Sequence, residues 1–245
     1  MKNGIAIAVV SGFALALVTG SAHADSACNA SSKVGAQCTC KVLELRPTQM
    51  AVGMIEVKER ERDLSTKKPK KLDAYLHSHP EPAVKGPGGA LYITDHHHFA
   101  RALADLKIET TYCKIEEDYS NLTSGPFWDQ MKLKQWVFLN DENGGGPHDP
   151  KDLPTSVEGL KDDPYRSLAG EVERTGGVKK PNDAPPFFEF IWADFFRPQI
   201  KIDDKNFEGA VDSACTLAIS DTARARKLPG YTGGPCRPAT SRDRR

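Results

Sequence analysis

The sequence lacks an excess of charge of either sign, and it lacks a long apolar stretch. Its 245 residues contain 33 Lys and Arg against 33 Asp and Glu, whereas a protein that coats nucleic acid usually carries a basic surplus. The N-terminal apolar run, residues 5–18, is shorter than the roughly 20 residues that a membrane-spanning helix needs. No internal repeat is evident. We therefore expect one domain of about 200 residues and no transmembrane anchor.

The N-terminus has the three parts of a secretory signal peptide. Lys2 gives a positive start, residues 5–18 form the apolar core, and Ala22-His23-Ala24 is a small-residue cleavage site. No cysteine follows the run at a lipoprotein-like position. The alternative, a buried N-terminal helix, lacks an amphipathic pattern to support it. We expect cleavage near Ala24 and a secreted or periplasmic protein.

Six cysteines follow the predicted signal peptide: Cys28, Cys38, Cys40, Cys113, Cys215 and Cys236. An even number in an oxidising compartment is typical of structural disulfides, although the number of possible connectivities leaves the pairing open. Because one residue separates Cys38 from Cys40, we expect them to have different partners. We also expect the N-terminal cysteines to be joined to Cys113 and to the two C-terminal ones. A metal cluster or redox pair is the alternative, but this spacing is not that of a CxxC motif.

The chain divides into a signal peptide (1–24), a Cys-rich arm (25–41), a domain with a helical extension (42–228) and a Gly/Pro/Arg-rich tail (229–245). Residues 42–45 are predicted to begin a strand that ends at Pro47. Further strands are predicted at 91–94 and 110–115, and helices at 72–77, 99–106, 165–174 and 187–196. Residues 52–57 suit either a helix or a strand. This mixture of elements predicts an α+β fold.

The richest chemistry lies in residues 92–103, where a predicted strand runs into Asp95-His96-His97-His98 and then into a helical pattern. Asp95 is predicted to be the helix N-cap. The free N–H groups and the dipole at the start of a helix suit a phosphate, and imidazoles can bind anions, transfer protons or ligate a metal. Consecutive helix residues point about 100° apart, so all three imidazoles cannot ligate one metal. The lysine-rich segment 67–71 is a phosphate-binding patch or a solvated loop, and the carboxylates just upstream favour the loop.

Several short motifs occur in order along residues 42–200. They are Leu45-Arg46-Pro47-Thr48-Gln49, Val52-Gly53, Glu56-Val57-Lys58, the Asp95 turn, Phe127-Trp128-Asp129-Gln130-Met131, Leu153-Pro154 and the segments 162–170 and 189–197. With this set the chain resembles the ParB-like family of the ParB/sulfiredoxin fold, in its ParB-like nuclease branch. The resemblance implies a small mixed sheet with helices, followed by a helical C-terminal extension.

In relatives on this fold, a D-G-H-H-R-like turn at the start of a helix holds nucleotide phosphates. Asp95, His97 and His98 match the D and the two H, whereas His96 replaces the glycine and Phe99 replaces the arginine. Glycine allows close backbone approach and arginine binds phosphate through two N–H groups, so each replacement removes a phosphate contact. The sulfiredoxin branch also needs a cysteine in this turn. None is present here, which argues against sulfinic-acid reduction.

The resemblance also implies that the histidines share a cleft with residues of the earlier motifs. Glu56 is expected to be a general base or a metal ligand, Lys58 to neutralise phosphate charge, and His97 or His98 to protonate a leaving group. The residues expected to bind the anion are Arg46, Gln49, Asp95 and His96. A divalent metal (Mg, Mn or Zn) is a further expectation, with His97 and His98 as ligands. Alternatively, Glu56 and Lys58 belong to a salt-bridged surface.

Together these residues predict an exported hydrolase that acts on a phosphoester, either a nucleotide or a nucleic acid. The alternative is a non-catalytic protein that uses the same pocket to bind a ligand or a partner, and the replaced glycine and arginine favour it. Chromosome partitioning, the function behind the family's name, is not expected. Export would remove the protein from the chromosome, and no helix-turn-helix is evident after the core.

Overall fold

The computed structural model describes residues 26–203 and 205–237, so the predicted signal peptide lies outside the described residues. Its main sheet contains β1 (Gln37–Lys41), β3 (Glu81–Lys85), β4 (Leu91–Ile93) and β5 (Thr110–Asp118), in the order β1-β5-β3-β4. β5 pairs antiparallel with β1 and parallel with β3, and β3 pairs antiparallel with β4. A second sheet joins β2 (Ala51–Val52) to β6 (Lys161–Asp162) in parallel.

Eight α-helices lie within the described ranges. They are α1 (Met54–Ser65), α2 (Pro69–Ser78), α3 (His97–Asp105), α4 (Ser124–Leu133), α5 (Pro164–Arg174), α6 (Phe188–Phe196), α7 (Phe207–Ala218) and α8 (Asp221–Ala225). Within this described part, no helix has the length and apolar character that crossing a bilayer requires. The predicted α+β fold, a small mixed sheet with helices and a helical C-terminal extension, is confirmed.

The first hydrophobic core lies between the main sheet and helices α1, α2 and α3. β5 shows the alternation of a strand with one buried face, because Thr111, Cys113 and Ile115 point inward. On α3 the buried residues include Phe99 and Leu103, and this face packs against α1. The burial of this face fixes where the first turn of α3 points.

A second core is formed by the C-terminal helices α5 to α8. Its largest fully buried side chains are Trp192, Phe188 and Phe196 of α6 and Leu168 of α5. The two cores meet where α1 begins beside α5. A Cβ atom at Gly53 would lie 2.8 Å from the backbone nitrogen of Ser167, so only glycine allows the two helices to approach this closely.

The prediction of a strand at residues 42–45 is wrong. Val42–Glu44 forms a 3₁₀ turn, in which the N–H of Leu45 donates to the carbonyl of Val42. The strand lies one segment earlier, at Gln37–Lys41, inside the part of the chain that the sequence suggested was an arm. The physical reason is pairing: β1 completes an edge of the main sheet beside β5, which a sequence pattern does not reveal.

Three disulfides join all six cysteines, as Cys28–Cys38, Cys40–Cys113 and Cys215–Cys236. The expectations that Cys38 and Cys40 have different partners and that Cys113 joins the N-terminal cluster are confirmed. The expected link between that cluster and the two C-terminal cysteines is wrong. Cys215 lies on α7, in the second core, and is bonded to the segment that packs against the same core.

Candidate functional site

A cleft of about 630 Å³ opens at the N-terminal end of α3. Its walls come from the start of α3, from α1 and α2 on one side, and from α5, the turn after α4 and the segment leading into α6 on the other. Four cationic side chains and three carboxylates line it: Arg60, Lys134, Arg166, Lys180, Glu56, Asp95 and Glu189. The cleft is therefore strongly polar, with charges of both signs.

The start of α3 differs in detail from the prediction. The N-cap is His96, which has a left-handed backbone (φ 60°, ψ 20°), and the helix begins at His97. Asp95 is therefore not the N-cap; its carboxylate accepts a hydrogen bond from the N–H of His96 at 2.7 Å. His96 thus keeps, at a cost in strain, a conformation that glycine adopts freely. No group of the described chain accepts from the N–H of His97, His98 or Phe99, three residues that line the cleft.

His97 is buried and holds the loop before β2. Its Nε2 accepts a hydrogen bond from the backbone N–H of Thr48 at 3.0 Å, which places the proton of the neutral ring on Nδ1. Burial is the main reason why the pKa of His97 is lowered to about 3. Nδ1 is itself buried and has no hydrogen-bond partner among the described residues. His97 therefore presents a single unused N–H donor.

His98 holds the start of α1 in the same way. Its Nε2 accepts a hydrogen bond from the backbone N–H of Gly53 at 3.0 Å and lies 3.6 Å from Oε2 of Glu56. Burial, and after it the neighbouring charge of Arg166, lowers the pKa of His98 well below its usual value. Near neutral pH both imidazoles are therefore uncharged.

These hydrogen bonds also decide whether the two histidines suit a metal. A divalent ion binds the ring nitrogen that carries a free lone pair, and in both rings the Nε2 lone pair already accepts from a main-chain N–H. Within residues 26–203 and 205–237, no group of three or more His, Cys, Asp or Glu side chains is arranged to hold a metal ion. The side chains present do not fit the metal that the sequence suggests at His97 and His98.

Glu56 and Arg166 form the charged centre of the cleft. Nη1 of Arg166 lies 3.5 Å from Oε2 of Glu56, and Nη2 lies 3.8 Å from Oε2 of Glu189. Arg166 is only 7 % exposed, yet Nη1 is buried without a hydrogen-bond partner in the described structure. Burial opposes the charge of Glu189, but Arg166 and Lys180 outweigh it and hold the pKa of Glu189 below its usual value.

The other predicted site residues divide between the cleft and the surface around it. Gln49 lines the cleft, and its Oε1 is buried and unpartnered within the described residues. Asp95 and His96 line it as well. Arg46 does not; its guanidinium lies 5.9 Å from the centre of the Tyr92 ring. Lys58 also lies outside the cleft, where its Nζ is 2.7 Å from Glu61.

Two residues near the site were not among the predicted site residues. Arg166 lies in the segment 162–170, one of the motifs behind the resemblance, and the sequence left open whether it reaches the cleft or pins a helix; in the structure it lines the cleft. Glu81 is fully buried at the start of β3, and neither of its carboxyl oxygens has a hydrogen-bond partner in the described chain. Burial, and secondarily the charge of Asp95, raises the pKa of Glu81 well above its usual value. A carboxyl group whose ionisation is disfavoured by burial therefore lies 3.7 Å from Nδ1 of His96.

Aromatic rings line the cleft on both sides. Tyr75 and His79 stack on each other, with ring centres 4.1 Å apart, and both line the cleft. Trp136 and Phe187 line it from the other elements. Gln135, directly before Trp136, and Phe187 both have a left-handed backbone, as His96 does. Such strained conformations are often concentrated at functional sites.

Comparisons with known proteins agree with this architecture. A family model described as "Putative ParB-like nuclease" matches residues 38–198. The crystal structure of protein Atu1540 from Agrobacterium tumefaciens is similar, with a TM-score of 0.74 and 34% sequence identity. The similarity covers 81% of this chain and 97% of that chain. A search of curated proteins finds no match.

Proposed function

Because the chain belongs to the ParB-like nuclease family and has its ParB/sulfiredoxin-like fold, we propose that its cleft binds and hydrolyses a phosphoester. The substrate is a nucleotide or a nucleic acid. The phosphate lies at the N-terminus of α3, between the free N–H groups of that helix and the guanidinium of Arg166.

One observation carries this proposal. Three buried polar atoms that have no hydrogen-bond partner among the described residues belong to side chains that line one cleft: Nη1 of Arg166, Nδ1 of His97 and Oε1 of Gln49. A buried polar group that lacks a hydrogen bond costs about 1–3 kcal/mol, so native proteins contain few of them. Two of the three are N–H donors, and their side chains line the same cleft as the first turn of α3. A phosphate oxygen is the acceptor that this set of donors suits best.

Glu56 is the candidate base. It is positioned by Arg166 and by His98, and its side chain is 32% exposed, so water reaches it. Water attacks phosphorus while Glu56 accepts one of its protons, the bond from phosphorus to the leaving oxygen breaks, and that oxygen takes a proton from solvent. Arg166 and the N–H groups of α3 stabilise the charge that develops on the phosphoryl oxygens. His97 and His98 are neutral, so they position the loop and the helix and do not act as acids.

The proposal includes the cellular location of the protein. The signal-peptide pattern of residues 1–24 supports export, and three disulfides are compatible with an oxidising compartment. A secreted or periplasmic protein meets extracellular nucleic acid and scavenged nucleotides. Those are therefore the substrates we propose, in place of an intracellular phosphate donor.

A second candidate function is binding without catalysis. The lowered pKa values of His97 and His98 favour it, because they remove the two groups that would protonate a leaving oxygen near neutral pH. The same donors would then hold a phosphate ligand in the cleft without breaking its bonds.

The experiment uses the exported form of the protein, oxidised and freed of metal. Nucleotides, single- and double-stranded DNA, RNA and simple phosphoesters are tested for hydrolysis by chromatography and for binding by calorimetry, with and without Mg²⁺, Mn²⁺ and Zn²⁺. The variants are Arg166→Gln and Glu56→Gln, and Lys58→Gln is the matched control because Lys58 lies on α1 outside the cleft.

Three results separate the possibilities. Hydrolysis that both cleft variants abolish and the control retains supports the enzyme. Binding that Arg166→Gln abolishes, with no turnover of any substrate, supports the second candidate. Binding or turnover that Arg166→Gln leaves unchanged would refute the phosphate site.

A further inference from the structure

Three lysines lie in the first turn of α2 or just before it, N-terminal to the part of the helix that lines the cleft. Tyr75 and His79 line the cleft, and Lys71 precedes Tyr75 by four residues, a spacing that places both side chains on one face of the helix. Lys68 precedes Tyr75 by seven residues, about two helical turns, and so lies on the same face. Nζ of Lys67 lies 4.7 Å from the centre of the Tyr75 ring. We call Lys67, Lys68 and Lys71 the lysine face.

The charge of this face is only partly balanced. Lys67 pairs with Asp63 at 2.9 Å, but neither Lys68 nor Lys71 has an ion pair with any residue that the structure describes. Lys68 is the N-cap of α2, and the first turn of that helix contains no acidic residue. Cations at the positive end of a helix dipole are unfavourable, and a bound anion relieves that cost.

Two of the aromatic rings that line the cleft, one on each side of it, lie beside a lysine. Lys67 lies over Tyr75, which stacks on His79, and Nζ of Lys134 lies 5.4 Å from the centre of the Trp136 ring. A cationic groove lined by aromatic rings is how proteins bind single-stranded nucleic acid, because unpaired bases offer their faces for stacking. A simple phosphoester would leave these rings unused.

The length of the lysine face favours a polymeric ligand over a mononucleotide. At 1.5 Å of rise per residue, the Cα of Lys68 lies about 10 Å along the helix axis from that of Tyr75. The lysine face therefore extends along α2 beyond Tyr75, a residue of that helix that lines the cleft. Its cations suit the phosphates of further nucleotides.

We propose that the lysine face binds the backbone of a single-stranded nucleic acid, one nucleotide of which occupies the cleft. This inference rests on the proposed function and names its substrate as a single-stranded polymer. A mononucleotide and a duplex are the competing ligands, and the experiment separates all three.

The test measures binding of fluorescent oligothymidylates with phosphorothioate linkages, which resist hydrolysis, from the mononucleotide to chains of increasing length and a matched duplex. The variant is Lys68→Gln with Lys71→Gln. Its control, Lys201→Gln with Lys205→Gln, removes the same charge from exposed lysines outside the cleft. Each dissociation constant is measured over a series of salt concentrations.

We expect affinity to rise with the length of the single strand. We also expect the slope of log K against log salt to become shallower by about 1.4 in the lysine variant, since each lost phosphate contact contributes about 0.7 for single strands. The control should keep the slope, and the mononucleotide should bind the lysine variant as it binds the wild type.

Two results would overturn the inference while leaving the phosphate site intact: a mononucleotide that binds as tightly as the longer strands, or a duplex that binds as well as the single strand. A different result would refute the phosphate site and leave the lysine face intact. Length-dependent binding that the lysine variant loses and Arg166→Gln retains at full strength would keep the lysine face and refute the cleft as the phosphate site.

Discussion

The burial of His97 makes a specific prediction about stability in acid. His97 is 1% exposed, and its Nε2 accepts from the N–H of Thr48. Protonation would add an N–H group at Nε2, which now accepts from the N–H of Thr48. Two donors would then face each other in a buried position. Burial, the main cause, lowers the pKa of His97 from its ordinary value of 6.5 to about 3. The folded protein therefore holds this ring neutral at a pH where the unfolded chain protonates it.

The sign and the size follow from the difference in bound protons. Between pH 6.5 and about 3 the unfolded state binds a proton that the native state does not, so the free energy of unfolding falls as the pH falls. The loss through His97 is about 1.4 kcal/mol per pH unit, or about 2 kcal/mol between pH 6.5 and 5. His98 acts in the same direction, and the raised pKa of Glu81 acts in the opposite direction. Only a comparison with a variant isolates His97.

His97→Gln is that variant, because the amide oxygen can accept from Thr48 in place of Nε2 and does not titrate. Urea unfolding with intact disulfides, followed by tryptophan fluorescence from about pH 8 to pH 5, gives the free energy of unfolding for both proteins. Below pH 6.5 we expect the curve of the variant to fall less steeply, by about 1.4 kcal/mol per pH unit. Parallel curves would refute the assignment of His97 as a buried neutral group.

Two further predictions concern stability. Replacing Cys40 and Cys113 by alanine should lower the free energy of unfolding by about 4 kcal/mol in urea melts, because their disulfide spans 73 residues; a loss below about 1 kcal/mol would contradict the loop-entropy argument. Gly53→Ala should cost about 1–3 kcal/mol, because the added Cβ would overlap α5. Its control, Gly125→Ala, meets nothing within 4 Å and should be neutral or stabilising by thermal melting; equal effects of the two would count against the close contact.

The sequence predicted the positions of helices and strands better than it predicted which segments pair or pack with each other. The strand of residues 91–94 and the helix of 99–106 correspond closely to Leu91–Ile93 and His97–Asp105, because each has its own apolar pattern. The edge strand Gln37–Lys41 was missed, since small and polar residues give it no such pattern and pairing with β5 defines it. Cysteine positions likewise do not state which segments fold beside each other. The two C-terminal cysteines were therefore expected to bond to the N-terminal cluster, whereas they bond to each other.

Arg166 shows what the sequence could not supply at the site. Its position near the start of α5 is visible in the sequence, since Asp163 and Pro164 mark a helix start. Its importance comes from a buried guanidinium nitrogen without a hydrogen-bond partner among the described residues, and that depends on the packing of α5 against α1 and α6. A residue becomes a candidate ligand-binding group only once its protein partners are known.

The pair Glu56 and Lys58 shows how one local choice changes the expected chemistry. Residues 52–57 suited a strand or a helix, and in a strand residues two apart share a face. In the structure Glu56 and Lys58 lie on α1. Residues two apart on a helix are separated by about 200° of rotation around its axis, so their side chains point to nearly opposite sides. Glu56 therefore faces Arg166 and the cleft, while Lys58 pairs with Glu61 outside it. The sequence predicted that Lys58, two residues after the candidate base Glu56, supplies the cation. In the structure Arg166 lies beside Glu56 instead, on a helix more than a hundred residues later.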